Sequence, residues 1–118
     1  MRYLCLIYED EKWWEQASED DMKKGMADYN AFTESAKKNG HYIGGEALQP
    51  TTTAKSVQVR NGKVSTTDGP YVETKEQLGG YYLINAKDLN DAIQVASRIP
   101  GAKHGTVEVR PIMEFNQP

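Results

Sequence analysis

The sequence predicts a single α+β domain, and three observations carry that prediction. Its 118 residues fit one domain, 1–118. Two segments of helical period alternate with shorter runs of strand character. Between two alternating runs stands Asn61-Gly62, the strongest short hairpin signal.

The elements follow in order. "RYLCLIY" (Arg2 to Tyr8) is almost continuously apolar, which suits a central strand buried on both faces. "EDEKWWEQ" reads as a charged loop. Its adjacent Trp13 and Trp14 cannot share one face, so at least one reaches a neighbour or a partner surface. The first helix is expected from Glu19 to Asn39. Ser18 is its N-cap, with Asp21 three residues on in the manner of a capping box. Acidic residues fill its first turn and Lys37 and Lys38 its last, as the helix dipole favours. Met22, Met26, Tyr29, Phe32 and Ala36 form one apolar stripe, and Gly40 stops the helix. Gly25 inside it costs about 1 kcal/mol relative to alanine.

"HYIGGEALQP" is a short strand ending at Pro50. "SVQVR" and "KVSTT" are the hairpin strands. Beyond them, Thr74 with Gln77 fits the capping box of a short helical turn that Gly79 ends. "GYYLINA" is another strand. "DLNDAIQVASRI" is a second helix capped by Asp88, with Leu89, Ala92, Ile93 and Ala96 on one face and Pro100-Gly101 at its end. "GTVEVRPI" closes the chain as a strand, with Val107 and Val109 on one face and Glu108 and Arg110 on the other. This order is a ferredoxin-like split βαβ with an extra hairpin. Both helices then cover one sheet face. A second copy is the natural cover for the other, so a homodimer with sheets face to face is expected.

Composition narrows the function. Net charge is −3 and the pI about 5.4, without the basic field that nucleic acid or an anionic membrane surface needs. No stretch approaches a membrane span, and no signal peptide is read at the start, so a cytoplasmic protein is expected. Cys5 is the one cysteine and lies in an apolar run, where it behaves as a small hydrophobe. His41 and His104, the two histidines, have no metal-ligand spacing around them and read as loop histidines. Gly44-Gly45 and Gly79-Gly80 read as bulges or tight strand entries rather than phosphate cradles. No metal or cofactor is expected.

"GGEALQP", "DGPYVETKEQLGGYYLI" and "VEVRP" together resemble the DGPF-type branch of the YciI-like (YCII-related) proteins, with Tyr71 where the branch name has Phe. The resemblance covers nearly the whole chain and keeps motif order. It implies a ferredoxin-like fold forming a dimeric α/β barrel. It implies little about chemistry, because the family is largely without assigned function. Some relatives are encoded beside extracytoplasmic-function sigma factors. The YciI branch proper carries a His–Asp pair suggested as catalytic. Counting back from Gly40 puts Tyr29 at the histidine, and Ile99 precedes Pro100 where the aspartate would stand. That pair is therefore not carried over to this chain.

The residues leave paired readings open. Asp68, in Asp68-Gly69-Pro70, is either a general acid or base at a pocket mouth or the anchor of an Asx-turn. Glu73 and Lys75 either reach a site, with Lys75 holding an anionic group, or are solvated. Glu46, Glu108 and Arg110 form either a buried ion network or a polar pocket floor, with Tyr71, Tyr81 and Tyr82 as walls. Two functions follow. One is a cofactor-free enzyme acting on a small polar metabolite in a dimer cleft, with Asp68 as base. The other is a ligand-sensing or interaction module linked to sigma-factor regulation.

Overall fold

The computed structural model describes residues 1–115. The elements are β1 (Arg2–Glu9), α1 (Glu11–Glu15), α2 (Glu19–Lys38), β2 (Tyr42–Ala47), β3 (Lys55–Arg60), β4 (Lys63–Asp68), β5 (Gln77–Asn85), α3 (Leu89–Ser97) and β6 (Thr106–Pro111). Short 3₁₀ turns at Thr51–Thr53 and Pro100–Lys103 join some of them. Four strands form an antiparallel sheet in the order β2-β5-β1-β6, which interleaves two βαβ units as the split pattern requires. No helix among the described residues is long and apolar enough to cross a membrane.

Strand alternation decides which side chains form the core. Tyr3, Cys5 and Ile7 of β1 and Ile84 of β5 point to the helix face and are buried. Phe32 and Ala36 of α2, and Ala92, Val95 and Ala96 of α3, pack on them with Ile99. Val107 and Val109 join this face. The buried stripe of α3 is thus Ala92, Val95, Ala96 and Ile99, while Leu89 and Ile93 stay about half exposed. Burial without a charged partner pushes the Cys5 thiol up to about 11, so it is inert packing.

β1 is central but is buried on one face only. Leu4, Leu6 and Tyr8 on its other face are half-buried. Cross-strand register sets them beside Leu83 and Tyr81 of β5, Glu46 of β2, and Glu108 and Arg110 of β6. Among the described residues no element covers this second face.

β3 and β4 pair only with each other. Asn61 (φ 52°) and Gly62 (φ 74°) make the two-residue turn that the Asn-Gly signal requires. The hairpin leaves the body as an arm. The radius of gyration is 16.4 Å and the shape is flat, 51 × 48 × 18 Å; a compact chain of this length would have about 13 Å. Val57, Val59 and Val64 share one arm face and are exposed, with Gln58, Arg60 and Lys63 on the other.

Two local expectations are corrected. "EDEKWWEQ" is not a loop throughout, because Glu11–Glu15 is helical, capped by Asp10 accepting from the Lys12 N–H at 3.0 Å. The stretch after Pro70 has no helical turn. Thr74 bonds the Glu76 carbonyl instead, and Gln77 Nε2 donates to the Thr74 carbonyl at 2.7 Å, so the chain enters β5 directly.

Candidate functional site

A cleft of about 570 Å³ opens on the helix side, between α2, α1 and the β2–β5 edge. The apolar stripe of α2 serves two purposes. Its C-terminal half, Phe32 and Ala36, enters the core, while Met22 and Met26 stay exposed and form a cleft wall with Tyr29. Trp14, Tyr42 and Tyr82 add further apolar surface.

Glu9 lies at the base of this cleft and is 8% exposed. It ends β1 in phase with Tyr3, Cys5 and Ile7, so strand alternation alone turns it inward. Three side chains converge on its carboxylate. Tyr29 Oη donates to Oε1 at 2.8 Å, Trp14 Nε1 donates to Oε2 at 2.9 Å, and His104 Nε2 lies 3.1 Å from Oε2. Those residues come from α2, α1 and the loop before β6. A buried carboxylate is tolerated because its lone pairs are filled this way. Burial, and then the bond to Glu9, push the Tyr29 phenol far above its ordinary value, so it keeps its proton. Tyr82 is raised too, first by burial, and its hydroxyl is 2.9 Å from Thr33 Oγ1.

Glycines make the room. A Cβ on Gly101 would stand 2.7 Å from both Glu9 Oε1 and Tyr29 Oη. A Cβ on Gly25 would stand 2.8 Å from the Trp14 ring. The helix-interior Gly25 is therefore the seat on which Trp14 lies. The flanking Trp13 stacks on the His104 ring, with centroids 4.7 Å apart and planes 16° apart, and remains 43% exposed. At the mouth, Glu11 accepts from Thr51 N (2.7 Å) and Thr51 Oγ1 (2.9 Å), and its own N–H donates to Gln77 Oε1 at 3.0 Å. These bonds tie α1 to the chain after β2 and to the start of β5.

The residues singled out from the sequence fall in three places. Glu46 and Tyr81 border the cleft where the β2–β5 edge meets it, with their side chains in phase with the uncovered sheet face. Glu108 and Arg110 lie with them on the uncovered sheet face but outside the cleft lining, and the four make no ion pair with one another. Asp68 closes the arm, paired with Lys55 and with its side chain 87% exposed. Tyr71, Glu73 and Lys75 follow it as exposed residues, Tyr71 at 80%. Within one chain, Asp68 does not meet Glu46 or Arg110. Glu9, Trp14 and Tyr29 were not among the nominated site residues, and His104 had been read as a loop histidine. A signal for Glu9 was present: an acid in phase with the buried set of an apolar strand.

The architecture is that of a small α+β protein whose sheet edge and longest helix enclose a polar centre. The chain belongs to the YCII-related domain family, whose model matches residues 1–116. It is 34% identical over 114 residues to an uncharacterized protein of Rhizobium meliloti (strain 1021), covering 95% of this chain and 92% of that one. The resemblance sets Tyr29 and Ile99 at the positions of the YciI branch's His–Asp pair. In this chain Ile99 is wholly buried, and Tyr29 is engaged by Glu9 instead.

Proposed function

We propose that this protein is a small enzyme that moves a proton on a small molecule held in the cleft, using its own side chains. The observation that carries the reading is the convergence of Tyr29, Trp14 and His104 on the buried Glu9 at the cleft base. Glu9 is the base, and Trp14 holds it in place. Tyr29 and His104 are the groups through which a proton reaches or leaves it. Glu9 suits this role better than Asp68, because general acid–base work needs a carboxylate fixed in a water-poor site, and Asp68 stands in solvent beside Lys55.

The test has two stages. A thermal-shift screen against small metabolites finds ligands, since binding to the native state raises the melting temperature. Each hit is then incubated with protein in D₂O, and exchange at its C–H positions is followed by proton NMR. A catalysed exchange or conversion is expected for at least one hit, falling by about 10²-fold or more in Glu9→Gln. Hits that bind without any exchange or conversion would sink the enzyme reading and favour a ligand-sensing module.

We also propose a homodimer. The uncovered sheet face (Leu4, Leu6, Tyr8, Tyr81 and Leu83) and the apolar arm face (Val57, Val59 and Val64) are both unpartnered. A two-stranded hairpin is marginal in water by itself. In a second copy each apolar face offers the cover that the other lacks. Such a pairing would bring Asp68, Tyr71, Glu73 and Lys75 of one copy toward Glu46, Glu108 and Arg110 of the other. Multi-angle light scattering is expected to give twice the chain mass for the wild type. Leu6→Asp and Val59→Asp are expected to shift it toward the single-chain mass. A monomeric wild type at tens of micromolar overturns the pairing.

A further inference from the structure

The cleft's charge is one-sided. Three carboxylates stand around it, Glu9, Glu11 and Glu15, and among the described residues that line it there is no Lys or Arg. Its walls are of the kind that hold an apolar body: Met22 and Met26 from α2, with the rings of Trp14, Tyr42 and Tyr82. Such ring faces also attract a cation. Tyr42 already has one nearby, as Lys37 Nζ lies 5.3 Å from its ring centre. Lys37 is itself offset by Glu34 at 3.8 Å. His104 reaches Glu9 from the far side, where it stacks under Trp13, and it is not among the lining residues.

An anion entering this cleft would meet carboxylates at the rim and another at the base, with no fixed positive charge to offset them. A neutral apolar molecule would gain from the walls alone. An organic ammonium gains from both. We infer that the cleft selects small lipophilic cations, molecules with an apolar or aromatic body and one ammonium group. This deepens the proposed function by naming the substrate class, and it rests on the same cleft.

The experiment uses three probes of one shape that differ in charge: phenethylammonium, phenethyl alcohol and hydrocinnamate. Their binding to the full chain is followed by calorimetry and by tryptophan fluorescence, to which Trp13 and Trp14 both contribute. At low ionic strength phenethylammonium is expected to bind at least about tenfold more tightly than the alcohol, with hydrocinnamate weakest. The advantage should shrink as salt is added. Combining Glu15→Gln with Glu11→Gln is expected to remove most of the ammonium preference, because both carboxylates stand at the mouth. If the alcohol binds and the ammonium binds no better, or if hydrocinnamate binds as tightly, the cation selection is wrong and the proton-transfer reading stands. If none of the three binds at millimolar concentration, the cleft is not a ligand site and both readings fall.

Discussion

Glu9→Ala is expected to lower stability by about 2–4 kcal/mol, because a buried donor that loses its acceptor keeps its full desolvation cost. Trp14 and Tyr29 would both lose their acceptor, and neither has another bonded to that donor. His104 is the least affected, since its side chain is 38% exposed and water can replace the carboxylate. For a chain of this size the loss corresponds to a melting-temperature fall of roughly 10 °C. Glu9→Gln should behave differently. Its amide oxygen can still accept from Trp14, and its NH₂ can donate to the Tyr29 hydroxyl, whose own proton then turns toward the cleft. A cost below about 1 kcal/mol is expected, within the ordinary range of a single neutral hydrogen bond. Thermal unfolding of the two variants side by side checks this. Equal losses in both would mean that the negative charge itself, rather than the acceptor geometry, holds the centre together.

That contrast bears on how much of the protein its sequence makes legible. The split βαβ order is readable because each element's period, cap and stop agree. Ser18 and Asp88 cap as expected, accepting from Asp21 N at 3.1 Å and Asp91 N at 2.8 Å, and the Asn61-Gly62 turn forms. These are local signals, decided by neighbours in sequence. The polar centre is assembled from distant pieces. Glu9 and His104 are 95 positions apart and Glu9 and Tyr29 are 20 apart, so no local rule joins them. An acid at a strand end reads as a solvated boundary unless its phase against Tyr3, Cys5 and Ile7 is weighed. Asp68 drew attention for the opposite reason. It sits in a distinctive motif, Asp68-Gly69-Pro70, whose turn chemistry is local. Register then pairs it with Lys55 across the arm. The α3 stripe is turned by part of a rotation: Ala92 and Ala96 enter the core as expected, but Val95 joins them in place of Leu89 and Ile93.

Replacing Gly101 with alanine tests the tertiary assembly directly. Gly101 is buried in the 3₁₀ turn after α3, and a Cβ there would approach Ile7 Cγ2 at 2.9 Å as well as Glu9 Oε1 and Tyr29 Oη at 2.7 Å. Ile7 and Glu9 stand on the central strand, which cannot retreat without breaking its pairing to β5 and β6. Tyr29 is the partner able to give, since it is half-buried and borders open cleft. Overpacking of this kind costs about 1–3 kcal/mol. It should also weaken the Tyr29–Glu9 bond, so Gly101→Ala is expected to impair any cleft chemistry along with stability. A double-mutant cycle separates the two effects. Tyr29→Phe alone loses the hydrogen bond to Glu9. In the Gly101→Ala/Tyr29→Phe pair the hydroxyl that the new methyl strikes is already gone. The combined loss is therefore expected to be smaller than the sum of the single losses by about 0.5–1 kcal/mol or more, a coupling typical of residues in contact. Strict additivity in chemical denaturation would mean that the Pro100–Lys103 turn shifts as a unit to admit the methyl. The Glu9–Tyr29 geometry would then not depend on Gly101, and the room for the polar centre would have to come from α2.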